Sequence, residues 1–554
     1  MDLETDVLII GAGPVGLALA GDLGWRGKRC IVVERGDGVV VQPKMDQVGI
    51  RTMELCRRWG LVKAVEASPY NRDYPQDNIY LTSLNGWELG REPFPSMNDD
   101  RPPPYSPQKR ERCPQNMFDP ILRDFAQSHS YVQLLYHHTF KHLEQQSEGV
   151  LATVYDDSKQ QTITVKARFL VGCDGARSQV REALDIPMSG KGLLTYTTNV
   201  IFRCENLNQL HEKRPGYRHL FLGSKGTWGT LVAINGRDKW RMSIVGDRVK
   251  RNYTHDELRQ FAYQMMGKPF ELEILSVLSW ARYELVADQY RKGHCFLAGD
   301  ACHLTSPTGG LGMNTGITDA AALGWMLSAC LDGWGGEFLL DAYEPERRPI
   351  AQQIVQISTR NLQAMKSVGR HEALLDDSQE GEQARAHVGR TFSEAMRKEW
   401  YLDNVHLGYR YLSSPAIVYE QESAAQLEKE QAETAVYSPS TQPGRRAPHY
   451  WLAPDESTLD AFGRGYVLVD TGLAGDEDGA DWQAWSLTAT RLKIPLKRVR
   501  WANPELARLY QKRFVLVRPD DIVAWRGDAL PANPQALLQF VAGQSRVYSE
   551  KEGQ

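Results

Sequence analysis

The chain has 554 residues, more than one ordinary hydrophobic core supports, which predicts two or three domains. Hydrophobic residues make up 42% and charged residues 24%, and the net charge of -4 includes no basic run of the kind that binds nucleic acid. The acidic N-terminus lacks a signal-peptide pattern, and no window has the ~18 to 20 apolar residues of a membrane span. We therefore expect a cytoplasmic protein whose partners are neither nucleic acid nor membrane.

The eight cysteines are scattered, with no C-x-x-C pair and no metal-ligand spacing. They indicate buried thiols in a reducing compartment, and no metal site is expected.

The N-terminal segment alternates between strand and helix patterns. The apolar run Val7 to Ile10 is followed by GAGPVGLALAGDL, whose apolar residues have helical spacing, and then by a second apolar run, Cys30 to Val33. A strand, a glycine turn, a helix and a strand form a βαβ unit, which predicts a Rossmann-like α/β domain.

The glycines of this unit have separate predicted roles. Gly11 allows the tight turn, Gly13 lets a pyrophosphate approach the backbone, and Gly16 lets the helix pack closely on the sheet. Glu34 ends the second strand, where an acid binds the ribose of an adenine dinucleotide. The pattern predicts dinucleotide binding.

Later segments differ in character. Residues 75–112 are irregular and rich in proline and asparagine, whereas Gln115 to Ala126 has a helical pattern. Residues 189–284 consist mostly of short β-branched and aromatic runs, which predict an inserted sheet. Helical patterns follow over 314–415, then a charged linker over 422–446, and then strands of a C-terminal α/β unit.

Two further motifs follow apolar strands. FLVGCDGARSQVR, residues 169–181, ends its strand at Asp174-Gly175, which taken alone is a common turn. GDACHLTSPTGGLGMNTGITDA, residues 299–320, places Asp300 and a nearly bare glycine loop ahead of a helix. Helix N-terminal amides favour negative charge, so this loop is suited to an anionic ligand.

The order of the three motifs resembles the single-component flavoprotein aromatic hydroxylases, the p-hydroxybenzoate hydroxylase and phenol hydroxylase group. That family has a GxGxxG fingerprint, a D-G-x-x-S-x-x-R motif and a GDAAHxxPPxGGxGxNxGxxDA motif. This chain departs from the third motif with Cys302 in place of alanine and Ser306 in place of the first proline.

The resemblance implies FAD as the cofactor and NAD(P)H as a cosubstrate without a second glycine fingerprint. Where relatives carry arginine in a P-R-A segment, this chain has Lys44. The ammonium of lysine is a point charge and cannot form the two parallel hydrogen bonds of a guanidinium. The implied FAD-binding residues are Gly11, Gly13, Pro14, Gly16, Glu34, Arg35, Lys44, Gln115, Asp174, Gly175, Asp300, Pro307, Gly310, Leu311, Gly312, Met313 and Asn314.

Asp46 is the predicted catalytic acid–base residue, with Pro307 as the second implied catalytic position. The segment KMDQVGIRTMEL resembles the phenol hydroxylase branch, in which an aspartate at this place contacts the substrate hydroxyl and relays its proton. Alternatively, Asp46 caps the following helix. Arg241 either meets an anionic substrate or is a solvated strand arginine, and His303 is expected to pack instead of acting as a base.

The C-terminal part resembles the thioredoxin-like domain of the phenol hydroxylase branch. No cysteine follows Cys330, so thiol redox chemistry is excluded and a structural or assembly role is expected. The predicted domains are an FAD-binding domain (1–75, 113–188 and 285–365), a substrate-binding sheet domain (76–112 and 189–284), a helical connection (366–420) and a thioredoxin-like domain (440–554).

The resemblance implies an FAD-dependent monooxygenase that hydroxylates a phenolic ring, ortho to an existing hydroxyl, with NAD(P)H and O2 through a C4a-hydroperoxyflavin. A tailoring hydroxylase of a larger polyketide phenol and a non-turnover flavin-binding regulator are the alternatives. By family likeness a homodimer or larger oligomer is expected.

Overall fold

The structure, a computed structural model, describes residues 2–421, 434–472 and 481–549. Residues 422–433 of the predicted linker lie outside them. The helices in the described residues are α1 (Pro14–Trp25), α2 (Ile50–Trp59), α3 (Val62–Glu66), α4 (Gln115–Gln127), α5 (Gln179–Ala183), α6 (His255–Met266), α7 (Leu311–Leu331), α8 (Tyr343–Ser367), α9 (Gln379–Trp400), α10 (Asp403–Leu407), α11 (Asp481–Arg491), α12 (Pro504–Tyr510) and α13 (Pro534–Val541).

The strands are β1 (Asp2–Ile10), β2 (Cys30–Glu34), β3 (Gln47–Val48), β4 (Asn78–Leu81), β5 (Glu88–Glu92), β6 (Glu111–Arg112), β7 (Val132–Tyr136), β8 (His138–Gln146), β9 (Gly149–Asp156), β10 (Gln161–Gly172), β11 (Met188–Arg203), β12 (Arg218–Gly223), β13 (Gly226–Ala233), β14 (Lys239–Val245), β15 (Glu273–Ala287), β16 (Arg291–Lys292), β17 (Cys295–Leu297), β18 (His303–Leu304), β19 (Trp451–Ala453), β20 (Glu456–Ser457), β21 (Tyr466–Asp470), β22 (Leu496–Arg500), β23 (Phe514–Val517) and β24 (Val523–Gly527). None of the described helices is both long and apolar enough to cross a membrane.

The first sheet has the order β16-β17-β10-β1-β2-β7 and carries β8 and β9 beside β10. Strand β16 is antiparallel to β17, whereas β17, β10, β1, β2 and β7 run parallel to one another. Their carboxyl ends therefore meet at one edge, which is where ligands bind in open α/β sheets. The three motifs follow β1, β10 and β17 at this edge, so the predicted Rossmann-like domain is confirmed.

The second sheet has the order β18-β15-β11-β14-β13-β12-β4-β5. One face packs on α6 through a buried apolar cluster that includes Phe202, Trp240 and Met242. Because side chains alternate along a strand, the residues between these belong to the opposite face.

The inserted sheet is thus present, and it includes strands from segment 76–112, which the sequence assigns to the same substrate-binding sheet domain. The irregular segment 75–112 contains β4 and β5, and β18 joins this sheet from within the third motif. The domain boundary expected at residue 365 falls inside α8.

The C-terminal residues form a mixed sheet with the order β22-β21-β23-β24. Strand β22 runs parallel to β21, whereas β23 and β24 are antiparallel to their neighbours. With α11, α12 and α13 in sequence, the element order is βαβαββα, which confirms the thioredoxin-like α/β domain.

Buried ion pairs join this domain to the rest of the molecule. Arg446 donates hydrogen bonds to both carboxylate oxygens of Glu54 on α2. Arg518 donates to both oxygens of Glu346 on α8, at 2.6 and 2.8 Å, and to Asp520. Burial opposes the charge of Glu54, but Arg446 and Arg51 outweigh it and lower its pKa. Charges that are fully enclosed in this way hold the domains in one arrangement.

Candidate active site

The first glycine turn leaves open space above the start of α1. Gly11 has φ of 104°, and a Cβ there would lie 2.5 Å from the Cys173 carbonyl oxygen. A Cβ at Gly16 would lie 2.0 Å from the Gly11 oxygen, whereas one at Gly13 would meet nothing within 4 Å. Helix α1 begins at Pro14 with no side-chain cap, so its amides face this open space.

Glu34 lies beside the same turn. Its two oxygens accept hydrogen bonds from Ala12 N at 2.9 Å and from Gly36 N at 2.8 Å. The neighbouring Arg35 is exposed. The carboxylate is therefore fixed at the end of β2, where the sequence predicts contact with a ribose.

The second motif is tied to the third. Asp174 accepts hydrogen bonds from Ser178 Oγ at 2.5 Å and from Val180 N at 3.2 Å, and burial raises its pKa. Arg181 donates to the carbonyl of Ala301 at 2.9 Å. The Asp174-Gly175 turn is thereby fastened beside the loop that follows β17.

The third motif ends in an uncapped helix. Gly310, with φ of 66°, immediately precedes α7, and no side chain caps the helix. Leu311 is buried, but Gly312 and Met313 are half-buried, and Asp300, Pro307 and Gly310 are exposed. The unpaired amides and the helix dipole favour negative charge at this position.

His303 has the packing role that the sequence predicts. Its Nε2 lies 2.8 Å from Asp319 Oδ2, while Arg347 Nε donates to Asp319 Oδ1 at 2.8 Å, and all three side chains are fully buried. Cys302, His303 and Asp319 are close enough to share a metal ion. The Arg347 guanidinium on the same carboxylate disfavours a cation there.

The segment before Asp46 is held by α4. Gln115 accepts from Lys44 N at 3.0 Å, donates from its own amide to the Met45 carbonyl at 3.0 Å, and donates from its side chain to Asp119 at 3.0 Å. Asp119 Oδ1 is buried with no partner in the described part of the chain, and burial raises the Asp119 pKa to about 7. Sequence reasoning missed Asp119, although it lies four residues after Gln115 and thus on the same face of α4.

The buried Asp46 and the half-buried Arg241 form an ion pair. Arg241 Nη1 donates to Asp46 Oδ1 at 3.0 Å, Nη2 donates to Oδ2, and Nη1 also contacts the Pro43 carbonyl at 3.2 Å. Burial opposes the charge of Arg241, but the Asp46 carboxylate outweighs it and raises the Arg241 pKa. The two residues that the sequence assigns to the substrate are therefore brought together, and the solvated alternative for Arg241 is wrong.

The alternative that Asp46 caps a helix is also wrong, because α2 is capped by Gly49 without a side-chain bond. Instead, Asn314 of α7 fixes this segment. It accepts from Gly49 N at 2.7 Å and donates to the Gln47 carbonyl at 3.3 Å. Because Gln47 directly follows Asp46, these hydrogen bonds connect the Asp46 segment to the N-terminus of α7.

A group of polar and aromatic side chains surrounds this pair. The Arg112 guanidinium lies 3.5 Å from the centre of the Tyr217 ring and donates to Gln76 at 2.9 Å. Gln76 donates in turn to the Tyr70 hydroxyl at 2.9 Å. Burial raises the pKa values of Tyr70 and Tyr217, so both phenols stay neutral near pH 7. No motif marks these residues, so the sequence alone did not identify them.

The edge of the first sheet fits FAD. The open space at Gly13 and the uncapped α1 suit a pyrophosphate, and Glu34 suits the ribose. The orphaned Asp119 oxygen suits a hydroxyl of the ribityl chain. The uncapped amides at the start of α7 suit the flavin pyrimidine ring, which becomes negative on reduction.

We expect Gly13→Val to abolish FAD retention without unfolding the apoprotein. A Cβ at Gly13 meets no protein atom within 4 Å, and Gly13 already has φ of -76°, which valine adopts, so the side chain extends into the open space that suits the pyrophosphate. Gly16→Val is the matched control and should destabilise the apoprotein, since its Cβ strikes the Gly11 carbonyl. Flavin content after purification and apoprotein thermal melting measure the two effects. Normal FAD content in Gly13→Val would contradict this assignment.

Two family profiles cover most of the chain. The one described as "FAD binding domain" matches residues 4–358, and the one described as "Aromatic-ring hydroxylase, C-terminal" matches residues 440–544. A putative polyketide hydroxylase of Streptomyces halstedii is 32% identical over 95% of this chain and 94% of that protein. The 2,4-dichlorophenol 6-monooxygenase of Delftia acidovorans is 30% identical over 95% of each chain.

The fold has a close match among solved structures. RebC with bound 7-carboxy-K252c has a TM-score of 0.90 and 36% sequence identity, and it covers 98% of this chain and 100% of that one. The agreement extends over both the FAD-binding part and the C-terminal domain. The chain therefore belongs to the FAD-dependent aromatic-ring hydroxylases.

Proposed function

We propose that this protein hydroxylates a phenolic ring ortho to its hydroxyl group, and that the ring binds beside Asp46. The observation that carries this proposal is the Asp46–Arg241 ion pair, in a segment that Asn314 connects to the start of α7. A carboxylate and a guanidinium at one place can take the proton of a phenol and stabilise the resulting negative oxygen.

The chain's own residues have separable tasks in this reaction. Asp46 accepts the phenol proton, and Arg241 stabilises the resulting phenolate by donating a hydrogen bond to its oxygen. The ionised oxygen increases the electron density at the ortho carbon. FAD, when bound and reduced by NAD(P)H, would activate O2, of which one oxygen atom enters the ring and the other leaves as water. The neutral Tyr217 and Tyr70 and the rest of their cluster exclude water on the side of the second sheet.

A homodimer or larger oligomer is part of this proposal. Its support is an apolar stretch of β15 outside the two positions that pair with β18, where Leu275, Val277 and Leu278 are exposed. Light scattering of the purified protein measures the assembly. A cytoplasmic location is proposed on the eight cysteines, which are all unpaired and mostly buried.

The proposal is tested with a panel of aromatic compounds that contains small substituted phenols and polycyclic phenols. We expect a true substrate to stimulate NAD(P)H oxidation and to yield an oxygenated product in near-equal amount, whereas an effector yields hydrogen peroxide instead. Stimulated oxidation that yields only peroxide across the panel, or no stimulation at all, would favour the non-turnover flavin-binding regulator.

A further inference from the structure

A row of buried polar side chains on β11 and β15 has no hydrogen-bond partner. Thr197 lies opposite Trp280, and Thr195 lies opposite Arg282. In the described part of the chain, no partner lies within hydrogen-bond distance of Asn199 Oδ1, Thr197 Oγ1, Trp280 Nε1, or Arg282 Nε and Nη1. We call these four residues, Asn199, Thr197, Trp280 and Arg282, the polar strip. Leaving a buried polar atom unpaired is unfavourable, so a ligand or water must satisfy the strip.

The polar strip shares a sheet face with Arg241. Arg241 lies opposite Ile201 on β11, and residues 195, 197, 199 and 201 alternate onto one face. On β11, Thr195 lies opposite Arg282 and Ile201 lies opposite Arg241. These two positions are six residues apart, so the backbones of the two arginines are separated by about 20 Å along the strand direction. A single ring held at Asp46 does not reach Arg282, whereas a substrate of several fused rings extends towards it.

The far end of the strip is a buried cationic site. Arg282 is 5% exposed, and burial lowers its pKa to about 10, with a further lowering by Arg218 and a rise from Glu399. Glu399 accepts hydrogen bonds from Arg218 at 2.8 Å and from Gly309 N at 3.1 Å, which places it against the glycine loop of the third motif. Lys366 also interacts with Arg282. Arg218 and Arg282 thus share one carboxylate, that of Glu399.

The centre of the Trp280 ring is 5.3 Å from the guanidinium of Arg282, whose Nε and Nη1 have no hydrogen-bond partner in the described part of the chain. At pH 7 the guanidinium remains charged, and the carboxylate that acts on it, Glu399, is hydrogen-bonded to Arg218 and not to Arg282, so the buried donors of Arg282 stay unpaired, which is unfavourable. A planar guanidinium with free donors matches a carboxylate, which it binds through two parallel hydrogen bonds. Thr197, Trp280 and Asn199 offer donors and acceptors for hydroxyl or carbonyl oxygens between the two ends.

We propose that Arg282 binds the carboxylate of a polycyclic aromatic substrate whose hydroxylated ring lies at Asp46, and that Arg282 therefore determines substrate specificity. This inference rests on the proposed function, since it names the class of substrate for the same site. It distinguishes polycyclic aromatic acids from the small phenols that other members of the family hydroxylate.

The test uses two dihydroxyanthraquinones, rhein, which carries a carboxylate, and chrysophanol, in which a methyl group replaces it. Calorimetric titration of the FAD-loaded protein, without NAD(P)H, measures binding alone. We expect rhein to bind roughly 10- to 100-fold more tightly than chrysophanol. Arg282→Met should reduce that ratio to about one without changing chrysophanol binding, and Arg282→Lys should retain part of it.

The matched control is Arg259→Met, which removes an exposed arginine of α6 and should keep the full ratio. A single-ring pair, salicylate and phenol, should show no dependence on Arg282. Equal affinities for rhein and chrysophanol in the unaltered protein, or an unchanged ratio in Arg282→Met, would overturn the inference. Because binding is measured without turnover, a failure of hydroxylation leaves this result readable, and the two proposals fail separately.

Discussion

Asp46→Asn is expected to slow hydroxylation roughly 100- to 10,000-fold and to divert oxygen into hydrogen peroxide, while FAD stays bound. Asparagine keeps the size of the side chain but cannot accept the phenol proton, so the ring is attacked as a neutral phenol. The measurement compares product formed with NAD(P)H consumed, together with flavin content. Unchanged coupling would remove Asp46 from the mechanism.

The acidity of the substrate provides a control for this prediction. A nitrophenol is largely ionised at neutral pH and needs no base, so the effect of Asp46→Asn should shrink with such a substrate. Asp46→Asn also leaves the Arg241 charge without its anion. Adding Arg241→Met should therefore recover thermal stability without recovering activity, which separates the chemical role from the structural one.

Arg518→Met is expected to lower the free energy of unfolding by about 3–5 kcal/mol, because it leaves the carboxylates of Glu346 and Asp520 buried without their cation. Arg518 and Glu346 are fully buried, and Asp520 nearly so. Urea denaturation followed by the fluorescence of the C-terminal tryptophans measures the change.

The matched control removes a surface cation from the same domain. Lys512 pairs with Asp528, and the two side chains are 35% and 68% exposed. Lys512→Met should cost less than about 1 kcal/mol. If the two substitutions shifted the denaturation midpoint equally, the buried cluster would not be what holds the C-terminal domain in place.

The parts of the site that the sequence predicts are those with local spacing. The residues of the Gly11–Gly16 turn are neighbours in the sequence, and so are those of the loop before Leu311, so each group is visible as a motif. Parallel strands then bring the motifs to one edge, which the βαβ pattern already implies. Asp46 was found in the same way, through a run of matching neighbours.

The rest of the site depends on distant segments that carry no pattern. Arg241 and Arg282 come from different strands of the inserted sheet, and only the register shows that they share a face. Glu399 of α9 accepts a hydrogen bond from Gly309, although the two residues are 90 positions apart in the sequence. Strands β4 and β5 were missed because they are short and lie in a segment rich in proline and asparagine.

The buried arginines of the C-terminal domain also constrain recombination among relatives. If only that domain is moved into a relative, the chimera contains Arg446 and Arg518, but its residues at positions 54 and 346 are those of the relative. A donor domain with apolar residues at the arginine positions would strand Glu54 and Glu346. A stable chimera must therefore exchange these two glutamate positions together with the domain. The set of residues that must change together is discontinuous in the gene, even though the domain itself is continuous.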